Sequence, residues 1–143
     1  MLVSDITSGG AFPMLEKTVA FTEANNRMLV TNIANATTPG YRNMQLDVSA
    51  FQSALREAAE DRKNRDGDFR LSTTKEFRTN AAGRLAVTPS REPVENLLFQ
   101  DGTNARIERQ MALLAENAMM NQVTVEMLKG YYGGIAKAIR GRL

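Results

Sequence analysis

A seven-residue repeat of apolar side chains is the strongest pattern in the chain and lies near its C-terminal end. It predicts a helix from Thr103 to about Arg140, because positions seven apart fall on one face of an α-helix. One line of this repeat is interrupted only by an asparagine, and its partner line is apolar throughout. The two lines of the predicted C-terminal seam are Ile107, Leu114, Asn121, Leu128 and Ile135, and Met111, Ala118, Val125, Tyr132 and Ile139.

A second helical pattern lies near the N-terminal end, from about Pro13 to Ala36. Apolar side chains recur in it every seven residues, and a proline suits the first turn because its missing N–H would be unpaired there anyway. The helix must stop before Pro39, which disfavours helical backbone angles at Thr38. Gly40 then permits a positive φ, so the pattern predicts an abrupt turn after the helix.

Amide side chains are mixed into the apolar face of this N-terminal helix. Asn25, Asn32 and Asn35 follow one stripe of it. One interpretation is a solvated face. The other is hydrogen bonding across a helix interface, where a buried amide fixes the register at a cost in stability. The residue chemistry alone does not choose between them.

The middle of the chain has a mixed pattern. A shorter amphipathic helix is predicted from Asp47 to Lys63. After a predicted turn at residues 66–67, apolar and polar residues alternate around Phe69/Leu71 and around Leu85/Val87, which predicts one or two short hairpins or extended loops.

Two long terminal helices and a mixed middle predict a mainly α fold. Neither long helix can bury its apolar stripe alone, so we expect the two to pack together as a coiled-coil-like pair, with a small irregular or β middle region. The expected parts are a mobile lead-in over residues 1–12, an N-terminal helix and turn over 13–40, a middle lobe over 41–100 and a C-terminal helix over 101–143.

Composition excludes several kinds of catalytic and metal-binding site. The 143 residues carry a net charge of only +2, which is a weak indication of nucleic-acid binding. Cysteine and histidine are absent, which excludes disulfides, thiol catalysis and histidine-based metal sites. We also find no nucleotide-binding or catalytic motif, and therefore expect no cofactor, metal, nucleic acid or small-molecule substrate. Neither a membrane span nor a cleavable signal peptide is expected from the apolar runs.

The stretch "NIANATTPGY" resembles the N-terminal signature of the flagellar axial proteins. The residues that match it are Asn32, Ile33, Ala34, Asn35, Thr38, Pro39, Gly40 and Tyr41. The C-terminal stretch from Asp101 through Leu128, with "MALLAEN" at its centre, resembles the closing helix of a proximal member of the flagellar basal body rod protein family. "LSTTKEFRTN" is similar to a central segment of that member, although the usual histidine is absent.

This resemblance implies a structural subunit of the proximal rod of the bacterial flagellum. Members of the family are exported through the flagellar type III apparatus, and their terminal helices pair into a tube that transmits torque. The implied partners are further copies of the chain, other rod proteins, the rod-base adapter, the MS ring and the export apparatus. The implied location is the rod of the basal body, in the periplasmic space.

The resemblance also implies that the turn at Pro39 and Gly40 is where the chain leaves the tube, and that the preceding amides set register between subunits. One departure concerns export, since the expected apolar residue four positions after Phe12 is Glu16. The alternatives are the C-type proximal rod protein of the same family and, from a different class, a cytosolic helical adaptor or export chaperone.

Overall fold

The structure is a computed structural model that describes residues 11–65, 69–93 and 103–141. Three helices and four short strands occupy these ranges. In chain order they are α1 (Phe12–Ala34), β1 (Met44–Gln45), α2 (Val48–Arg65), β2 (Phe77–Thr79), β3 (Leu85–Val87), β4 (Ser90–Arg91) and α3 (Thr103–Ile139). The mainly α fold expected from the sequence is confirmed. The expected lead-in lies outside the described residues except at its end, where α1 begins.

The two long helices pack against each other in antiparallel directions. Near one end of the pair, the ring of Phe12 lies 5.5 Å from those of Tyr131 and Tyr132. Near the other end, Asn32 Nδ2 donates to Gln110 Oε1 over 3.2 Å. The first turn of α1 therefore lies beside the last turns of α3, which confirms the predicted pairing of the terminal helices.

The helix ends lie close to their predicted positions. Pro13 occupies the first turn of α1, and the helix ends at Ala34, two residues before the predicted end. Asp47 caps α2, because its Oδ1 accepts a 2.8 Å hydrogen bond from the backbone N–H of Ala50. Helix α3 continues to Ile139, close to the predicted end at Arg140.

The middle of the chain contains one hairpin among the described residues, and the predicted extended segment around Leu85 and Val87 forms its second strand. Strands β2 and β3 pair antiparallel with Phe77 opposite Val87, and Gly83 adopts a φ of 75° in the turn between them. Residues 69–74 form no strand, so of the predicted hairpins or extended loops the segment around Phe69 and Leu71 is not part of a hairpin. Burial of Leu71 in the core accounts for its apolar character without strand pairing. The turn predicted at residues 66–67 lies outside the described residues.

A second strand pair joins distant parts of the middle region. Strand β1 pairs antiparallel with β4, so that Met44 lies opposite Arg91. The backbone N–H of Glu92 extends this ladder by donating to the carbonyl of Asn43 over 2.9 Å. The segment that follows α1 is thereby held to the end of the middle region, a pairing that the local pattern did not predict.

The hydrophobic core lies between α1, α2 and the hairpin. Phe21 of α1 stacks on Phe51 of α2 with ring centroids 3.9 Å apart, and Phe77 of β2 meets Phe51 edge-on at 5.4 Å. Lys17 also connects α1 to the hairpin, since its buried ammonium donates to the carbonyl of Gly83. The core thus fixes α1 to the middle region.

Candidate assembly interface

The end of α1 passes into a tight turn formed by the family motif. The backbone N–H of Tyr41 donates to the carbonyl of Thr38 over 3.2 Å, with Pro39 and Gly40 between them. Gly40 has a φ of 74°, which a side-chain-bearing residue rarely adopts. Proline followed by a glycine of positive φ is the arrangement that a type II turn requires. The sequence therefore fixes the turn locally.

Asn32 is the most deeply buried residue of the motif, with 1% of its surface exposed. Its Nδ2 donates to the carbonyl of Met44 over 2.7 Å and to Gln110 Oε1 over 3.2 Å. Its Oδ1 accepts from the hydroxyl of Tyr41 over 3.0 Å and from the backbone N–H of Met44 over 2.9 Å. All four hydrogen-bonding positions of this amide are occupied within the same chain.

The rest of the motif is more exposed. Asn35 is half-buried, and its Nδ2 donates locally to the carbonyl of Thr31 over 2.8 Å. Ile33 and Tyr41 are also half-buried. The remaining motif residues, Ala34, Thr38, Pro39 and Gly40, are exposed.

Asparagines also form the contact between α1 and the centre of α3. Asn25 Nδ2 donates to Asn117 Oδ1 over 2.9 Å, and Asn117 Nδ2 donates to the carbonyl of Thr22 over 2.8 Å. Asn121 Nδ2 donates to Thr22 Oγ1 over 2.7 Å. For Asn25 and Asn32, the interpretation as hydrogen bonding across a helix interface is therefore the one that the structure supports. The interface is within one chain.

The two lines of the predicted C-terminal seam differ in burial within the single chain. The first predicted line is half-buried along its length: Ile107, Leu114, Asn121, Leu128 and Ile135. In the second line only Val125 is half-buried, while Met111, Ala118, Tyr132 and Ile139 are exposed.

The most buried positions of α3 are instead polar. Asn117 and Thr124 lie seven residues apart and have only 7% and 3% of their surface exposed. Gln110 and Tyr131 continue the same line at seven-residue spacing and are half-buried. An apolar repeat could not reveal this line. The signal that could have revealed it is the spacing of the polar residues.

Helix α3 carries large apolar side chains on its open surface. Met119, Val123 and Met127 expose 63%, 51% and 58% of their surfaces. Leu113 and Met120 lie closer to α1 and are also exposed. An amphipathic helix of an isolated domain normally shows the opposite arrangement, with apolar residues inside and polar residues outside.

An open apolar groove of about 610 Å³ borders this exposed surface. It runs between the three helices and is lined by Leu15 and Leu29 of α1, Phe51 of α2, and Leu113 and Met120 of α3. Met120 lines the groove and follows the exposed Met119 in α3. Surfaces of this kind commonly mark contacts with other proteins.

The known proteins that this chain resembles share one name. The flagellar basal body rod protein FlgB of Cereibacter sphaeroides is 27% identical to this chain over 119 residues, which cover 83% of this chain and 85% of that protein. The protein of the same name from Aeromonas hydrophila is 27% identical over 135 residues, covering 92% and 93%. The chain is FlgB-like. No family model matches it, and no solved structure gives a significant match.

The FlgB-like chain thus resembles flagellar basal body rod proteins, which are structural proteins and not enzymes, over most of its length. Within the described ranges there is no group of three acidic, histidine or cysteine side chains arranged to hold a metal ion. Among the described helices, none is sufficiently long and apolar to cross a membrane.

Proposed function

We propose that this chain is a structural subunit of the proximal rod of the bacterial flagellar basal body. It assembles through its terminal helices with further copies and with other rod proteins, and transmits torque from the membrane ring along the rod. It is attached to the MS ring through the rod-base adapter. It reaches the periplasmic space through the flagellar type III export apparatus, without a cleavable signal peptide.

One observation carries this proposal: the most buried positions of α3 are polar, whereas several of its large apolar side chains are exposed. Burying the side chains of Met119, Val123 and Met127 would each contribute about 1.5–3 kcal/mol that the single chain does not gain. The amide contacts to α1 hold α3 so that this apolar face remains outward. A subunit whose long helix is to be covered by neighbours requires that arrangement.

Charge on the open face of α3 tests the proposal. Met119→Asp and Met127→Asp would place a carboxylate in a surface that neighbours desolvate, which costs several kcal/mol. Because both positions are exposed, each substitution should change the free energy of unfolding of the free chain by less than about 0.5 kcal/mol. Leu114 is a poorer choice because it packs against the core of its own chain.

The measurement is complementation in a strain that lacks its own copy of this chain. We expect both variants to be exported but to leave the rod incomplete and the cells non-motile. Ser53→Asp, which places the same charge on the exposed face of α2, serves as the matched control and should restore motility. Normal motility with both methionine variants would contradict the proposed interface.

Antibody labelling of isolated basal bodies tests the location separately. Label at the base of the rod supports the proposed subunit. Label absent from basal bodies but present in the cytosol would favour the helical adaptor or export chaperone. The C-type proximal rod protein is the less favoured alternative because the relatives found are of the FlgB type.

A further inference from the structure

The side chain of Asn32 pairs with the backbone of Met44 as a neighbouring strand would. Its Oδ1 accepts from the Met44 N–H over 2.9 Å, and its Nδ2 donates to the Met44 carbonyl over 2.7 Å. A residue in an antiparallel ladder exchanges the same two hydrogen bonds with its partner. The orientation of the amide is unambiguous, because a backbone N–H can only donate and a carbonyl can only accept.

The two remaining positions of this amide connect the turn and the second long helix. Tyr41 donates its hydroxyl to Oδ1 over 3.0 Å, and Gln110 of α3 accepts from Nδ2 over 3.2 Å. One buried side chain therefore joins the end of α1, the segment after the turn, and α3. These contacts all lie within one copy of the chain and do not depend on the proposed role in the rod.

We propose that Asn32 is a positioning residue that sets the direction in which the chain leaves α1, by holding the segment Tyr41–Met44 against the junction of α1 and α3. Its amide is saturated within the chain, so it is not a register contact between subunits. Any contact of the motif with a neighbouring subunit would be made by the more exposed residues around Asn35.

No other side chain reproduces this pairing. Aspartate has the length of asparagine but cannot donate to the Met44 carbonyl, and glutamine has both groups but one methylene too many. Asn35 offers a matched control three residues away, since its single donated bond, to the carbonyl of Thr31, is exposed to water that can replace it.

The first measurement is the thermal midpoint of Asn32→Asp and of Asn35→Asp. At pH 7 we expect the Asn32 variant to melt about 5–10 °C below the wild type, because a buried carboxylate then faces a carbonyl. We expect the Asn35 variant to melt within about 2 °C of it.

Lowering the pH distinguishes two causes of destabilisation in Asn32→Asp: loss of the hydrogen-bond donor and a steric effect of the new side chain. Burial raises the pKa of the introduced carboxyl group above its ordinary value of about 3.9. The variant's loss of stability is therefore complete at neutral pH. It decreases as the pH falls through that raised pKa, because the protonated acid can donate to the Met44 carbonyl again. The gap between the Asn32 variant and the wild type should narrow between pH 7 and pH 4, whereas the Asn35 variant should show no such recovery. A gap independent of pH would overturn the proposal.

The direction of the exit segment can be measured directly. The chain has no cysteine, so spin labels at Arg27→Cys on α1 and Gln45→Cys on β1 report one distance. We expect a narrow distance distribution in the wild-type and Asn35→Asp backgrounds and a broad one with Asn32→Asp. Equal widths in all three would overturn the proposed positioning role.

Hydrogen exchange keeps the proposal testable if the Asn32 variant does not fold. In the wild-type chain the Met44 amide should be protected because its acceptor is Asn32 Oδ1. Tyr41→Phe should raise its exchange rate by less than about tenfold, since Oδ1 keeps its bond to Met44. A Met44 amide that exchanges like an unbonded one in the wild type would rule the contact out.

Discussion

The two sides of α1 hold their neighbours by different chemistry. Toward α2 and the hairpin, α1 presents Phe21, which is 2% exposed and stacks on Phe51. Toward α3 it presents Thr22, Asn25 and Asn32, whose contacts with that helix are hydrogen bonds. One side is an aromatic core, and the other is held mainly by amides along its length, with Phe12 contacting Tyr131 and Tyr132 at one end.

The two kinds of contact have different effects, one on the stability of the fold and the other on the register of the helices. Aromatic burial supplies a large free energy but tolerates some sliding, because the hydrophobic effect is not directional. Buried amides contribute little net free energy, yet they strongly penalise any register that leaves them unpaired. We infer that the aromatic core stabilises the fold and that the amide interface selects one alignment of α3.

The arrangement also leaves part of the apolar surface of α3 uncovered. With Asn117 and Thr124 inside, the apolar surface of Met119, Val123 and Met127 stays available. Four substitutions test the comparison, from the largest expected effect on unfolding free energy to the smallest.

Phe51→Ala should destabilise the chain most. It removes a side chain that contacts both Phe21 and Phe77 and leaves a cavity, which costs about 3–5 kcal/mol. Chemical denaturation measures the loss. Met127→Ala, which shortens an exposed side chain on α3, is the control and should cost less than about 0.5 kcal/mol. Similar losses for both variants would contradict the placement of the core.

Asn117→Ala should cost less than Phe51→Ala but should act selectively on α3. It leaves Asn25 Nδ2 without its acceptor in a buried site, a loss of about 1–3 kcal/mol. Hydrogen exchange should show faster exchange along α3 with little change in α2. The control is Gln122→Ala, one of the exposed positions on the same helix. If hydrogen exchange became equally faster in α2 and α3, the contacts on the two sides of α1 would not act independently.

Gly40→Ala tests the turn that follows α1. A Cβ at this position meets no atom within 4 Å, so the expected cost of about 1 kcal/mol comes only from the φ of 74°. Gly130→Ala in α3 is a matched control with equally open space, and there the same change should stabilise the helix by about 0.5–1 kcal/mol. Chemical denaturation of the pair should therefore give opposite signs. If both substitutions changed the free energy of unfolding in the same direction, the positive φ of Gly40 would not be the source of the cost.

Tyr41→Phe should have the smallest effect. It removes the hydroxyl that donates to Asn32 Oδ1 over 3.0 Å, while that oxygen keeps its bond from the Met44 N–H. The expected loss is below about 1 kcal/mol. Measured by the same denaturation experiment, a loss larger than that of Asn117→Ala would show that the tyrosine contributes more than one hydrogen bond.

The sequence by itself determined the features that rest on local rules. The seven-residue periods predicted both long helices to within a few residues, since periodicity and proline exclusion act over a few turns. The Pro39-Gly40 pair predicted the turn, and the motif and C-terminal stretch indicated the rod family, as the FlgB relatives support.

Only the tertiary structure decided which face of α3 meets α1. The sequence favoured the apolar lines, and one of these, containing Met111 and Ile139, is largely exposed in the single chain. The pairing of Asn32 with Met44 and Gln110 was equally hidden, because it joins residues 12 and 78 positions apart. An amide has the same appearance in a sequence whether water or a distant backbone completes its hydrogen bonds, and that choice depends on the packing of the whole chain.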